Sequence, residues 1–100
     1  MEDKIVTLHP QGLKGVHISR AKYEQMRAVI LQSLADLGPQ TYRQLSMVVE
    51  QKLRGRFGGS ISWYYTAVKL DLETRGEILC TRKGGSEQVL RLGARHARVQ

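Results

Sequence analysis

The residues best placed to do chemistry are cations lying beside glycines. Lys52, Arg54 and Arg56 run into Gly58-Gly59-Ser60, where a helix is expected to open at Ser60. The open amides and positive dipole end of a helix start favour an anion, and glycines let backbone come close to it. This run could hold a phosphate, or be only a flexible loop capped by serine. It is neither Gly-x-Gly-x-x-Gly nor a phosphate loop ending in Lys-Ser/Thr, so nucleotide binding is not expected. Arg82 and Lys83, beside Gly84-Gly85, could grip a nucleic-acid backbone or form a solvated hairpin tip. Between these groups stand Trp63, Tyr64 and Tyr65, which cannot all face inward from one helix. Tyr65 is expected in the core. Trp63 or Tyr64 could stack on an unpaired base, or be partly buried against the hairpin or the first helix.

Nothing assembles into a catalytic site. His9, His17 and His96 are scattered, without metal-ligand spacing. Ser60 and Ser62 lack a Gly-x-Ser-x-Gly setting. Cys80 falls in a predicted buried strand and is expected to fill core rather than attack. Asp71 and Glu73, two apart, point to different sides of a helix. The expectation is therefore no enzymatic activity, no metal and no cofactor.

Composition narrows the partners. The chain has 100 residues, 41% of them hydrophobic, enough for one modest core and little more. A single cysteine excludes an intramolecular disulfide and a multi-cysteine zinc cage. The start, Met1-Glu2-Asp3-Lys4, does not read as a secretory signal, and no apolar run approaches the ~18 residues of a membrane span. A cytoplasmic setting and no membrane partner are expected. Net charge is +7, and it is unevenly spread. Residues 1–50 hold six Lys/Arg against five Asp/Glu, and residues 51–100 hold ten against four. A basic half favours a polyanion, although many small basic proteins bind no nucleic acid.

The elements that would position these groups follow from period and punctuation. Residues 4–9 alternate like a short strand that Pro10 ends, and residues 11–17 read as a loop. Ser19 can cap a helix with Tyr23, Met26, Val29, Ile30, Leu34 and Leu37 on one stripe, stopped by Gly38-Pro39. Thr41 to Gln44 fits a capping box, opening a second helix that runs to about Leu53 with Leu45, Val48, Val49 and Leu53 inward. Residues 54–59 read as a loop with Phe57 tucked into the core. Ser60 caps a third helix, with Ile61, Tyr65, Val68 and Leu72 on one face. Strands are expected over 77–82 and 87–92, Ile78 and Cys80 pointing one way, around the turn Lys83-Gly84-Gly85-Ser86. A basic tail over 93–100, with Arg95, His96 and Arg98, is expected to fray.

That order, with the phrase Val68-Lys69-Leu70-Asp71-Leu72-Glu73-Thr74-Arg75-Gly76-Glu77-Ile78, resembles winged helix-turn-helix domains. Their third helix commonly ends in Leu-Glu, a basic residue and a glycine before an apolar strand. The resemblance covers roughly residues 19–92 and extends to a group of small bacterial winged-helix-like proteins with an N-terminal strand and a Trp-containing third helix. It implies an α+β fold: a single winged-helix domain over 19–92, three helices followed by a two-stranded wing, with an extra short N-terminal strand and its loop over 1–18. It further implies a transcription-regulator-like DNA-binding protein, with the third helix at the major groove and the hairpin on the backbone. Carried onto this chain, the contacts to double-stranded DNA would come from Lys52, Arg54, Arg56, Ser60, Ser62, Trp63, Thr66, Lys69, Arg82 and Lys83. Ser62, Trp63, Thr66, Lys69, Leu70 and Glu73 are the expected outward positions of the third helix. No Arg, Asn or Gln stands there to make bidentate base pairs, so contact is expected mainly with phosphates. The alternative is a protein-interaction or homodimerisation module docking through Trp63 and Leu70, with the N-terminal strand as a further pairing edge.

Overall fold

Helix α1, Arg20–Leu37, starts at the serine its sequence offers: the Ser19 hydroxyl accepts a hydrogen bond from the Lys22 amide at 3.4 Å. It ends at Gly38, whose φ of 78° lies in the left-handed region and whose amide closes on the Leu34 carbonyl at 2.9 Å. Helix α2, Tyr42–Leu53, opens on a complete capping box. The Gln44 amide donates to the Thr41 hydroxyl and the Thr41 amide to the Gln44 side chain, each at 3.0 Å. Helix α3, Ile61–Thr74, opens with the Ser60 hydroxyl accepting from the Trp63 amide at 3.2 Å. The structure, a computed structural model, describes residues 3–9, 11, 12, 15–83 and 87–93. The expected turn at 84–86 and the tail residues Arg95, His96 and Arg98 lie outside these, as does the Lys83 side chain.

Two small antiparallel sheets complete an α+β domain of three helices. Strands β1, Lys4–Val6, and β2, His17–Ser19, form an N-terminal hairpin in the register Lys4↔Ser19 and Val6↔His17. Strand β3, Gln40–Thr41, pairs with β5, Glu87–Leu92, which pairs with β4, Ile78–Lys83, giving the order β3-β5-β4. The β4–β5 register sets Cys80 opposite Leu90 and Arg82 opposite Gln88. Sequence reading finds β1, β4 and β5, the fourth strand starting one residue later than expected. It misses β2, taken as loop end and helix cap, and β3, two residues beside a proline. Both are too short to show a period of two and exist only through distant partners.

One core joins the three helices to both sheets. Met26, Ile30, Leu45, Val49, Val68, Leu72, Ile78 and Leu90 are fully buried, with Tyr23, Leu34, Leu53 and Tyr65 nearly so. Each such large side chain contributes about 1.5–3 kcal/mol over its exposed state. Phe57 packs against this core as expected, and Val29, Ile61 and Cys80 lie at its edge. Leu37 does not join the stripe: it is 51% exposed, as the last residue of α1 before the chain turns away at Gly38. Val48 is half-buried at the margin of α2.

Candidate nucleic-acid interface

Helix α3 has two working sides besides its core stripe, and they differ in chemistry. The first flank carries Ser62, Thr66, Lys69 and Glu73. The Thr66 and Tyr42 hydroxyls share a hydrogen bond of 2.6 Å, joining α3 to the first turn of α2. The Lys69 ammonium donates to Gln88 Oε1 at 2.8 Å, lies 2.6 Å from Glu73 Oε2, and sits 5.4 Å from the Tyr42 ring centroid. The Cys80 thiol donates to the same Gln88 oxygen at 3.3 Å. Two donors on one oxygen fix which way the Gln88 amide points. Together these bonds tie α2, α3, β4 and β5 into one surface.

Lys69 does not face outward as expected. It is only 4% exposed, a charge taken from water and satisfied by a carboxylate, an amide oxygen and an aromatic face. A lysine on a helix flank ordinarily reads as solvated. Its burial depends on Gln88, from another element. Glu73 is drawn partly inward with it, and Leu70 is half-buried.

Exposed polar groups rim this flank. Ser62 and Thr66 are exposed on α3, and Arg82 is exposed on β4 opposite Gln88. Arg43 is exposed in the first turn of α2, beside Tyr42. Sequence reading did not single out Arg43 or Gln88. The capping box was the available signal for Arg43, because it sets that residue in the first turn of α2. Ser60 is spent largely on its cap.

The basic run expected to join this surface lies elsewhere. Lys52 ends α2, and its ammonium donates to the buried Ser33 hydroxyl of α1 at 3.1 Å. The Gln25 amide of α1 donates to the Arg56 carbonyl at 3.2 Å. Lys52, Arg54 and Arg56 line a groove of about 650 Å³ together with Ala28, Val29 and Leu53. At 1.5 Å per residue, roughly 13–14 Å of helix separates Arg43 from Lys52. The cations picked from sequence thus fall into two groups, at opposite ends of α2.

The outward centre of α3 is apolar and faces the N-terminal hairpin. Trp63 and Leu70, seven residues apart, share this side with Ala67. Together with Leu8 and Val16 they line a cleft of about 200 Å³. Trp63 is 47% exposed and stacks edge-on against Tyr64 at 5.0 Å between centroids. Tyr64 in turn meets Phe57 at 5.0 Å and has the Lys22 ammonium 5.5 Å from its centroid, so it is braced against α1. Neither aromatic stands clear of its neighbours as a bare platform.

The hairpin is held on this side by Asp71, which is fully buried. Its carboxylate accepts from the Leu8 amide at 2.8 Å, the Tyr23 hydroxyl at 2.5 Å and Arg75 Nε at 2.8 Å. Burial, and then the bond to Asp71, push the Tyr23 phenol well above its ordinary value. The hydrogen bond to Asp71 also raises Arg75 above its ordinary value. Sequence reading placed Asp71 and Glu73 on different sides of α3, as they are, but foresaw neither the Leu8 amide nor Tyr23 as partners.

With the fold and surfaces defined, comparison adds a family. The chain belongs to a family of unknown function, DUF6958, whose model matches residues 4–88, from β1 into β5. No match was found among curated proteins or among solved structures. Among the described residues, no helix is long and apolar enough to cross a membrane, and no group of His, Cys, Asp or Glu could hold a metal ion.

Proposed function

We propose that the chain is a winged-helix domain that binds double-stranded DNA, mainly through phosphates, in a transcription-regulator-like role. The observation that carries this reading is the surface joining α2, α3 and the β4–β5 hairpin. The Tyr42–Thr66 and Lys69–Gln88 bonds lock those elements together, Arg82 is exposed on β4 and Arg43 is exposed in the first turn of α2. The element order supports it too: helix, short strand, two helices, then a hairpin whose second strand pairs with the short one. In such a domain α3 approaches the major groove and β4–β5 serves as the wing. Lys69 acts here as a buried brace for the wing rather than as a phosphate contact. Lys52, Arg54 and Arg56 contribute long-range attraction only. With Ser62 and Thr66 as the outward polar groups, binding depends little on base sequence.

Fluorescence anisotropy of a labelled duplex, titrated across salt concentrations, tests the proposal. Phosphate-dominated binding gives a log–log slope of about −0.9 per phosphate neutralised. No binding at low salt would reject it.

A second reading is a protein-interaction or homodimerisation module. It is favoured by the gathering of exposed apolar side chains, Val6, Leu8, Val16 and Trp63, on the hairpin and the adjoining side of α3. Scattered single apolar residues need no explanation, but a grouped patch marks a contact site. Sedimentation velocity over a range of concentrations checks its homodimer form. Self-association lost on Trp63→Ser would support it, and a monomer throughout would dismiss it.

A further inference from the structure

The groove between α1 and the end of α2 is a second binding surface, separate from the one assigned to DNA. Its walls carry Lys52, Arg54 and Arg56, and no carboxylate lines it. Its lining also includes the apolar side chains of Ala28 and Val29 and the edge of the almost fully buried Leu53. Its volume is about 650 Å³, and it is open to solvent. Glu50 lines an adjoining cleft with Arg54 rather than this one. None of α3, β4 or β5 contributes a lining residue.

We propose that this groove binds an acidic segment of a partner protein in which apolar side chains stand among carboxylates. Charge complementarity selects the sign: three cations without a counter-charge in the lining favour a polyanion and steer its approach. The apolar part of the lining then selects among polyanions. A phosphate backbone presents only polar and charged groups, and would leave Ala28 and Val29 unmatched. An acidic peptide can seat a Leu or Phe side chain there while its carboxylates meet the arginines. The tie between Lys52 and Ser33 holds one wall in place, and the Gln25–Arg56 bond holds the other.

The probe is a short fluorescein-labelled peptide of Glu and Gln carrying two Leu, followed by anisotropy at physiological ionic strength. The full chain is compared with Arg54→Glu/Arg56→Glu and with the charge-matched pair Arg43→Glu/Arg82→Glu. All four positions are exposed, and circular dichroism checks each fold. Should the first pair fail to fold, Arg54→Gln/Arg56→Gln replaces it. The expected result is a loss of about tenfold or more in the groove variant and little change in its charge-matched counterpart. A peptide without Leu should bind several-fold more weakly. Equal loss in both pairs, indifference to Leu, or no binding at all would overturn the proposal. So would displacement of the peptide by unlabelled duplex from the Arg43→Glu/Arg82→Glu protein, which would make the groove a nucleic-acid site. The DNA reading stands or falls separately, on the duplex affinity of the same variants.

Discussion

At the scale of single residues, the domain depends on two buried charges, each held by groups distant in sequence. Asp71 joins the N-terminal segment, α1 and the end of α3 through Leu8, Tyr23 and Arg75. Replacing it with Ala strands the buried Tyr23 hydroxyl and the Leu8 amide and takes one carboxylate from Arg75, so Asp71→Ala should lower unfolding free energy by about 3 kcal/mol in urea titrations. Lys69→Met should also destabilise, by roughly 1–3 kcal/mol, because Glu73 loses its partner. It should leave the salt slope of duplex binding unchanged, since the ammonium meets no phosphate. The tyrosines set an alkaline limit. Tyr23 and Tyr65 both have phenols raised above the ordinary 10.0, chiefly by burial. The unfolded chain therefore releases these protons near pH 10 while the folded chain keeps them. Their stabilisation is complete below pH 10 and declines above it, by about 1.4 kcal/mol per pH unit for each phenol. Urea midpoints between pH 8 and 11 should be flat and then fall. None of these partnerships was legible in sequence, because a lysine, an aspartate or a tyrosine on a helix carries no mark of what a remote element will bring to it.

At the scale of elements, what is written locally can be read and what is made by pairing cannot. Ser19, Thr41 with Gln44, and Ser60 cap helices from within a few residues, and Gly38 ends one. Those boundaries were legible for that reason. Strands β2 and β3 were not, since their pairing is supplied by β1 and β5. The candidate site divided for the same cause: Arg82 was seen, Arg43 was passed over, and Lys52, Arg54 and Arg56 joined a surface that α1 completes. The N-terminal hairpin yields its own prediction. A Cβ on Gly15 would lie 1.6 Å from the Thr7 carbonyl oxygen, so the two arms of the hairpin approach too closely for any side chain. Gly15→Ala should displace the hairpin from α3. Trp63, the sole tryptophan, then reports the change as a red shift in emission and stronger acrylamide quenching. An unchanged spectrum would mean that the hairpin does not cover that side of α3.

For the molecule as a whole, a helix of twelve residues separates two surfaces of different character. One end of α2 joins α3 and the β4–β5 hairpin in a polar face edged by arginines. The other meets α1 in a basic groove that also holds Ala28 and Val29. A formal charge of +7 alone would have both ends attract any polyanion. The claim that matters is that duplex DNA is held by the first. The direct measurement is duplex affinity, by anisotropy at fixed moderate salt, for the wild-type chain and the two charge-matched double variants. Arg43→Glu/Arg82→Glu should lose about tenfold or more in affinity and shallow its salt slope, while Arg54→Glu/Arg56→Glu stays near the wild type. Equal losses in the two variants, or a larger loss in the second, would contradict the account.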